Sequence, residues 1–262
     1  MMKIFDSHAH IDDKSFNRDI DAVMDRASAE GVTDIMVAGI DLATAEKAIC
    51  LAGKYPGIIT SVGIHPHDAS HCSRDEIDAL KTLAKRHSCV KAWGECGLDF
   101  NRMYSPQPDQ ENCLIQQLAA AAELDLPIIF HERDSNGRFY EIIKEHAPES
   151  RNGVVHCFSG TEEEMFKYLD LGYHIGITGI LTIKKRGEYL RQIAPLIPED
   201  RILIETDAPY LTPAPQKNKF RRNEPAFVKS VLLKLAEVRN TDPETLSRVI
   251  YDNTRRLYGL DD

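Results

Sequence analysis

Eight short runs rich in β-branched residues recur along this chain, beginning near Lys3, Asp34, Ile58, Val90, Pro127, Val154, His174 and Ile202. Between them lie segments with apolar residues at helical spacing, such as NRDIDAVMDRASAEG, ATAEKAICLAGKY and QENCLIQQLAAAAELD. Strands that alternate with helices must pair in parallel, because each helix carries the chain back to the end where it began. Eight such units predict an α/β fold, a (β/α)8 TIM barrel, and about 250 residues is an ordinary length for one. The 262 residues are accordingly expected to form one domain, residues 1–262. Two more helical stretches, 223–239 and 242–257, follow the last strand and predict an extra C-terminal helix. The rival is an open doubly wound sheet. It would carry a glycine-rich phosphate loop after the first strand, where this chain instead reads HAHIDDKSF.

Local signals agree with this division. Gly31 and Gly172 fall where helices should end, and Ser73 with Glu76, Thr161 with Glu164 and Thr241 with Glu244 read as capping boxes at helix starts. The longest irregular segment, YLTPAPQKNKFRRNEP, follows strand eight. Loops of that length on a compact domain are often functional.

What makes the pattern chemical is the residue closing each strand. His8 and His10 close KIFDSHAH, Glu95 lies in VKAWGECGLD, His131 closes PIIFH, His156 follows GVV, and Asp207 follows ILIET. Catalytic groups of a parallel barrel sit at the C-terminal ends of its strands, so these six would meet at one mouth. His8 and His10 are two apart, so both point to one face of a strand and can chelate one divalent ion. Glu95 is flanked by Gly94 and Gly97, which let another group approach the backbone, and a carboxylate there can bridge two ions. His131 and His156, from consecutive strands, could complete a second site with Glu95. Asp207 would hold the first ion and accept a proton from the attacking water, with Glu205 behind it orienting a ligand. His65, ending strand three in SVGIHPHD, could touch a substrate phosphate or protonate a leaving group. It is preferred to His67 because Pro66 interrupts the strand. His71, His87, His146 and His174 lie away from the expected mouth. The ligand set suits Zn2+, Mn2+ or Mg2+ without choosing among them. Two ions about 3.5–4 Å apart would suit in-line phosphoester hydrolysis.

Composition limits the partners. The net charge of −9 argues against clamping long duplex DNA. Even so, Lys184, Lys185 and Arg186 follow strand seven, and Lys217, Lys219, Arg221 and Arg222 follow strand eight. Basic loops on an acidic background suit a polyanion in a confined pocket. No apolar run is long enough for a membrane span, and no basic-then-apolar leader is visible. A cytoplasmic location is therefore expected. Six cysteines without CxxC spacing are read as reduced thiols, with Cys96 and Cys157 turned toward the helices. No coiled-coil pattern is present, so a monomer is the expectation.

The stretches FDSHAHID, VGIHPHD, GECGLDF, HERD, HCFSG, GITG, ETDAPYL and RRNEP, in this order, resemble the TatD family of metal-dependent deoxyribonucleases within the amidohydrolase superfamily. The resemblance runs from the first residues to about Pro225. It implies a (β/α)8 barrel with two divalent metal ions, one held by His8, His10, Glu95 and Asp207 and the other by Glu95, His131 and His156. Some family members lack the first-strand HxH that this chain keeps. A bridging Glu95, where related barrels often use a modified lysine, favours the TatD branch over dihydroorotase-like amidases. By analogy of position Arg133 would contact phosphate. The implied activity is removal of nucleotides from 3′ ends of single-stranded DNA, a hydrolase acting on ester bonds, with RNA as a second substrate. Two alternatives remain open at this point. The same centre could hydrolyse an ester or amide such as a D-aminoacyl-tRNA, or the barrel could serve as a non-enzymatic binding protein.

Overall fold

The structure is a computed structural model that describes residues 2–147 and 152–260. Eight strands, β1 (Ile4–Ala9), β2 (Val32–Val37), β3 (Ile58–Val62), β4 (Val90–Asp99), β5 (Ile128–Arg133), β6 (Gly153–Val155), β7 (His174–Ile177) and β8 (Ile202–Ile204), lie in one sheet in the order β1 to β8. Between them run the helices α1 (Ile20–Ala29), α2 (Leu42–Lys54), α3 (Arg74–Arg86), α4 (Gln107–Leu124), α5 (Arg138–His146), α6 (Glu162–Asp170) and α7 (Glu188–Ile193). α8 (Val228–Arg239) follows β8, and α9 (Pro243–Leu257) is the extra C-terminal helix. This is the expected (β/α)8 TIM barrel, and each strand begins within two residues of its expected start.

By its contacts the chain divides into two compact units, one of residues 1–37, 56–58 and 175–262, the other of residues 38–55 and 59–174. In the first unit β8 runs on beside β1: the Asp207 amide donates to His8 O at 2.9 Å and the His10 amide to Ala208 O at 2.7 Å. Its core gathers Phe5, Tyr251 and Tyr258, with ring centroids 6.1–6.2 Å from Phe5. In the second unit Phe130 of β5 packs edge-on against Phe139 and Tyr173, at 5.2 and 5.1 Å. Buried Trp93 of β4 donates its indole N–H to Gln117 Oε1 at 3.1 Å, so the polar end of the ring is satisfied.

Of the three helix caps expected from the sequence, two form where expected and the third shifts by one residue. Thr161 and Glu164 form a full reciprocal box, and Ser73 accepts from the Glu76 amide. The cap of α9 is Asp242 rather than Thr241: Pro243 takes the first helical position, and the Asp242 carboxylate accepts from the Thr245 amide at 2.9 Å. A further box, Asp41 with Thr44, starts α2. Gly31 and Gly172 both adopt left-handed backbone at helix ends, with φ of 88° and 89°.

The most demanding glycine lies between β4 and β5. A Cβ on Gly97 would meet His131 O at 1.8 Å, and one on Gly94 would meet Ile129 O at 2.3 Å. Only bare backbone lets the strand carrying Glu95 lie this close to the strand carrying His131. Gly97→Ala is therefore expected to lose at least about 3 kcal/mol in urea unfolding. Gly53→Ala, in α2 with nothing within 4 Å of the new methyl, should gain about 0.5–1 kcal/mol. Equal behaviour of the two variants would refute the close-approach argument.

Candidate metal centre

In the second unit three imidazoles converge on one carboxylate oxygen. Glu95, 2% exposed, receives at Oε1 the Nδ1 of His131 at 2.7 Å, the Nε2 of His156 at 2.8 Å and the Nε2 of His65 at 3.5 Å. A carboxylate oxygen offers two lone pairs, so three nitrogens around it exceed what hydrogen bonding needs. The donor chemistry fits a divalent ion, and His65, Glu95 and His131 have ligand atoms within 4.8 Å of one another.

The protonation states sort these histidines. His65 heads the 3-10 turn Pro66–His71, and its Nδ1 accepts the His67 amide at 3.1 Å. Burial outweighs the neighbouring Glu95 and pushes the imidazole down to about 4, so it is neutral at pH 7. Because Nδ1 is an acceptor, Nε2 carries the proton and points into the cluster as a donor. His131 behaves differently. Against the effect of burial, Asp99 and Glu95 raise its pKa, because both ring nitrogens face carboxylates. Its Nδ1 meets Glu95, and its Nε2 faces Asp99 Oδ2 at 3.5 Å. At 2.7 Å from the Glu95 carboxylate the Nδ1 carries a proton; an ion taken up at Nδ1 would displace it while Asp99 stays facing Nε2, the arrangement of a metal-binding histidine backed by a carboxylate.

Asp99 and His67 were missing from the expected set. Asp99, 1% exposed, binds His67 Nε2 at 2.7 Å and accepts the Asn101 and Arg102 amides at 3.0 and 2.8 Å. Burial pushes its carboxyl up, but the bonds from His131, His67 and the Arg102 amide win and hold it well below the usual range. The signal for Asp99 was present: Glu95, Gly97 and Asp99 alternate along β4 and share a face. Pro66 does not divert His67; the turn it starts sets the His67 ring 4.2 Å from that of His65. Arg133 lies opposite Asp99 in the β4–β5 register, half-buried and without a carboxylate partner among the described residues. Cys96 is buried beside Cys113 of α4, as expected of a residue turned to the helices, and burial raises its thiol pKa. Cys157 is partly buried.

The first unit holds a second group. His8 and His10 bring their Nε2 atoms to 3.2 Å from each other, and to 3.9 and 3.5 Å from Asp207 Oδ1. Asp207 sits in left-handed backbone at φ 56°, just beyond β8. Buried Asn223 of the RRNEP stretch brackets it, donating to Thr206 O at 2.9 Å and Tyr210 O at 2.6 Å. Glu205 lies deeper and fully buried; Ser7 Oγ reaches it at 3.3 Å, and Gly176 leaves it room. Asp6, buried beneath, is pushed up to about 8 by desolvation, against bonds from Thr206.

The basic loops divide by role. Arg222 is committed to Asp19 through bonds of 2.7 and 2.6 Å, to Ser15 O, and to the face of Phe16 at 4.6 Å. Its neighbour Glu224 takes both arms of Arg26. Lys184, Lys185, Arg186, Lys217, Lys219 and Arg221 are exposed, and none has a carboxylate partner among the described residues. Thr182 ties the two loops together by accepting the Ala214 amide at 2.8 Å.

Asp99→Asn should weaken Zn2+ or Mn2+ binding about 10–100-fold in calorimetric titration, because the His131 tautomer is no longer fixed. Metal uptake should also release protons to the extent that His131 is protonated, so the apparent enthalpy will depend on the buffer, increasingly as the pH falls. Unchanged affinity in the variant would remove Asp99 from the centre.

The profile of the family described as TatD related DNase matches residues 5–259. A protein of Klebsiella pneumoniae (strain 342) named 3′-5′ ssDNA/RNA exonuclease TatD is 40% identical over 260 residues, covering 98% of each chain. Among solved structures, a TatD homologue from Escherichia coli K12 superposes with a TM-score of 0.89 at 29% identity, covering 98% of both chains. A TatD family hydrolase from Entamoeba histolytica superposes with a TM-score of 0.88 at 27% identity, again with 98% coverage of each. This chain belongs to the TatD family of DNases.

Proposed function

We propose that this chain is a metal-dependent exonuclease that removes nucleotides from the 3′ ends of single-stranded DNA and RNA, with residues 1–262 acting as one hydrolase domain. The observation that carries this reading is the convergence of His65, His131 and His156 on Glu95 Oε1. It occurs in a chain 40% identical to proteins named for that activity. Hydrolysis of an ester or amide such as a D-aminoacyl-tRNA is not favoured, since the curated relatives are named as exonucleases.

In this reading His8, His10 and Asp207 hold one divalent ion, and Glu95, His131 and His156 hold another. Such ions, when bound, lower the pKa of a water and neutralise charge on phosphate oxygens. The chain's own groups do the rest. Asp207 accepts a proton at a carboxylate oxygen, kept in place by the Asn223 bracket on its neighbours. His65 is neutral and carries its proton on Nε2, so it donates a hydrogen bond to a phosphate oxygen rather than serving as a charged acid. Arg133 supplies an unpaired cation beside β4. Lys184, Lys185, Arg186, Lys217, Lys219 and Arg221 attract the strand's backbone. Arg222, held by Asp19, acts as a strut for their loop. No helix among the described residues is long and apolar enough to cross a membrane.

The test uses single-stranded oligonucleotides labelled at either end, incubated with Mg2+, Mn2+ or Zn2+ and either wild type or Glu95→Ala. The expected result is a ladder shortening from the 3′ end, absent with the variant, whose rate falls steeply with salt. Degradation by Glu95→Ala at the wild-type rate would refute the reading.

A further inference from the structure

The segment after β4, residues 101–105, is wound tightly around two buried anchors. Asp99 takes the amides of Asn101 and Arg102. Ser105, fully buried, donates its hydroxyl to His67 O at 2.8 Å, accepts the Ser70 amide at 3.0 Å, and has its own carbonyl held by Gln110 Nε2 at 2.7 Å. Asn101 reaches across to Asp134 at 2.7 Å and so joins this turn to the one after β5. Met103 completes the turn in left-handed backbone, with φ of 51°.

On this fixed turn stands Tyr104, 64% exposed, the most exposed of the large apolar and aromatic side chains among the described residues. One edge is covered: the His67 ring meets it nearly perpendicularly, with centroids 4.7 Å apart. His67 in turn touches the ring of His65, whose Nε2 lies 3.5 Å from Glu95. A large aromatic ring thus stands in solvent two ring contacts away from the metal-capable carboxylate. Its backbone is already ordered, so a ligand that stacks there has little ordering cost to meet. Nothing in the fold of this unit requires that ring to be aromatic, since it covers no core. The neighbouring cation Arg102, whose guanidinium reaches the Tyr104 hydroxyl at 3.5 Å, adds attraction for a phosphate at the same edge.

We propose that Tyr104, steadied by His67, is the stacking platform for an unpaired nucleobase flanking the scissile phosphate, and that this contact selects single-stranded ends. The inference rests on the exonuclease reading and adds the base as a recognised group. A π-face suits any of the bases, so the contact is sequence-tolerant. It is unavailable to a base still stacked and paired inside a duplex.

The experiment is a cycle of kcat/KM values on single-stranded DNA. Wild type, Tyr104→Ala and Tyr104→Phe are each given a strand with all its bases, a strand abasic at the 3′-terminal nucleotide, and a strand abasic at the next. Tyr104→Ala should lose about 10-fold or more on the intact strand, mostly through KM, while Tyr104→Phe stays within about 2-fold. On one of the two abasic strands wild type should fall to the level of Tyr104→Ala, with no further loss in the variant. A melting temperature unchanged in Tyr104→Ala would confirm that the fold is intact, as the exposed position requires. The proposal is overturned if Tyr104→Ala matches wild type on the intact strand, or loses the same factor on all three strands. A wild type that cuts none of the strands refutes the exonuclease reading itself, and the proposal with it. That result is distinct from a wild type that cuts all of them indifferently to residue 104.

Discussion

A carboxylate buried to 2% exposure has lost its water, and Glu95 must recover that interaction from whatever surrounds it. In this fold the replacement is three imidazoles gathered on one oxygen. The rest of the second unit is arranged around that requirement. Glycines at 94 and 97 let β4 lie against β5 closely enough for His131 to reach it. Asp99 takes the far nitrogen of His131, and the turn at Pro66 places His65 and His67 as a pair. Removing one imidazole would leave the oxygen less satisfied, and removing the carboxylate would leave buried nitrogens facing one another. Each member of the cluster is held by the demands of the others.

The same requirement would couple protonation to metal binding at this cluster. Without an ion, His131 is drawn toward its charged form because carboxylates face both of its nitrogens. An ion bound at Nδ1 would replace that proton, and the negative charge of Glu95 and Asp99 would then serve the ion. Asp99 stays charged across the neutral range, since its depressed pKa means that its contribution is lost only in strong acid. His65 takes the opposite course, and burial keeps it neutral.

Much of this was legible in the sequence, for physical reasons. β-branched runs and helical spacing report burial directly, so all eight strands and the extra helix after α8 were readable. Strand ends carry chemistry in parallel barrels, which is why His8, His10, Glu95, His131, His156 and Asp207 could be singled out as candidates. Less legible was anything set by exact loop geometry. Arg222 looked like a rim cation, yet it is taken up by Asp19, a partner 203 residues away that no local pattern announces. Asp99 hid because it reads equally well as the first turn residue after a strand. His67 hid behind Pro66, which in the structure starts a turn that returns its side chain to the cluster. Thr241 lost the helix cap to Asp242 because a proline at the next position favours a cap immediately before it.

We propose that the His8, His10 and Asp207 group and the Glu95, His131 and His156 group each hold an ion. This is tested most directly by counting metal on purified chains after free ion is removed. Two divalent ions per wild-type chain are expected, one after His8→Ala with His10→Ala, and one after His131→Ala with His156→Ala. Wild type holding none, or a count unmoved by either pair of substitutions, would contradict it.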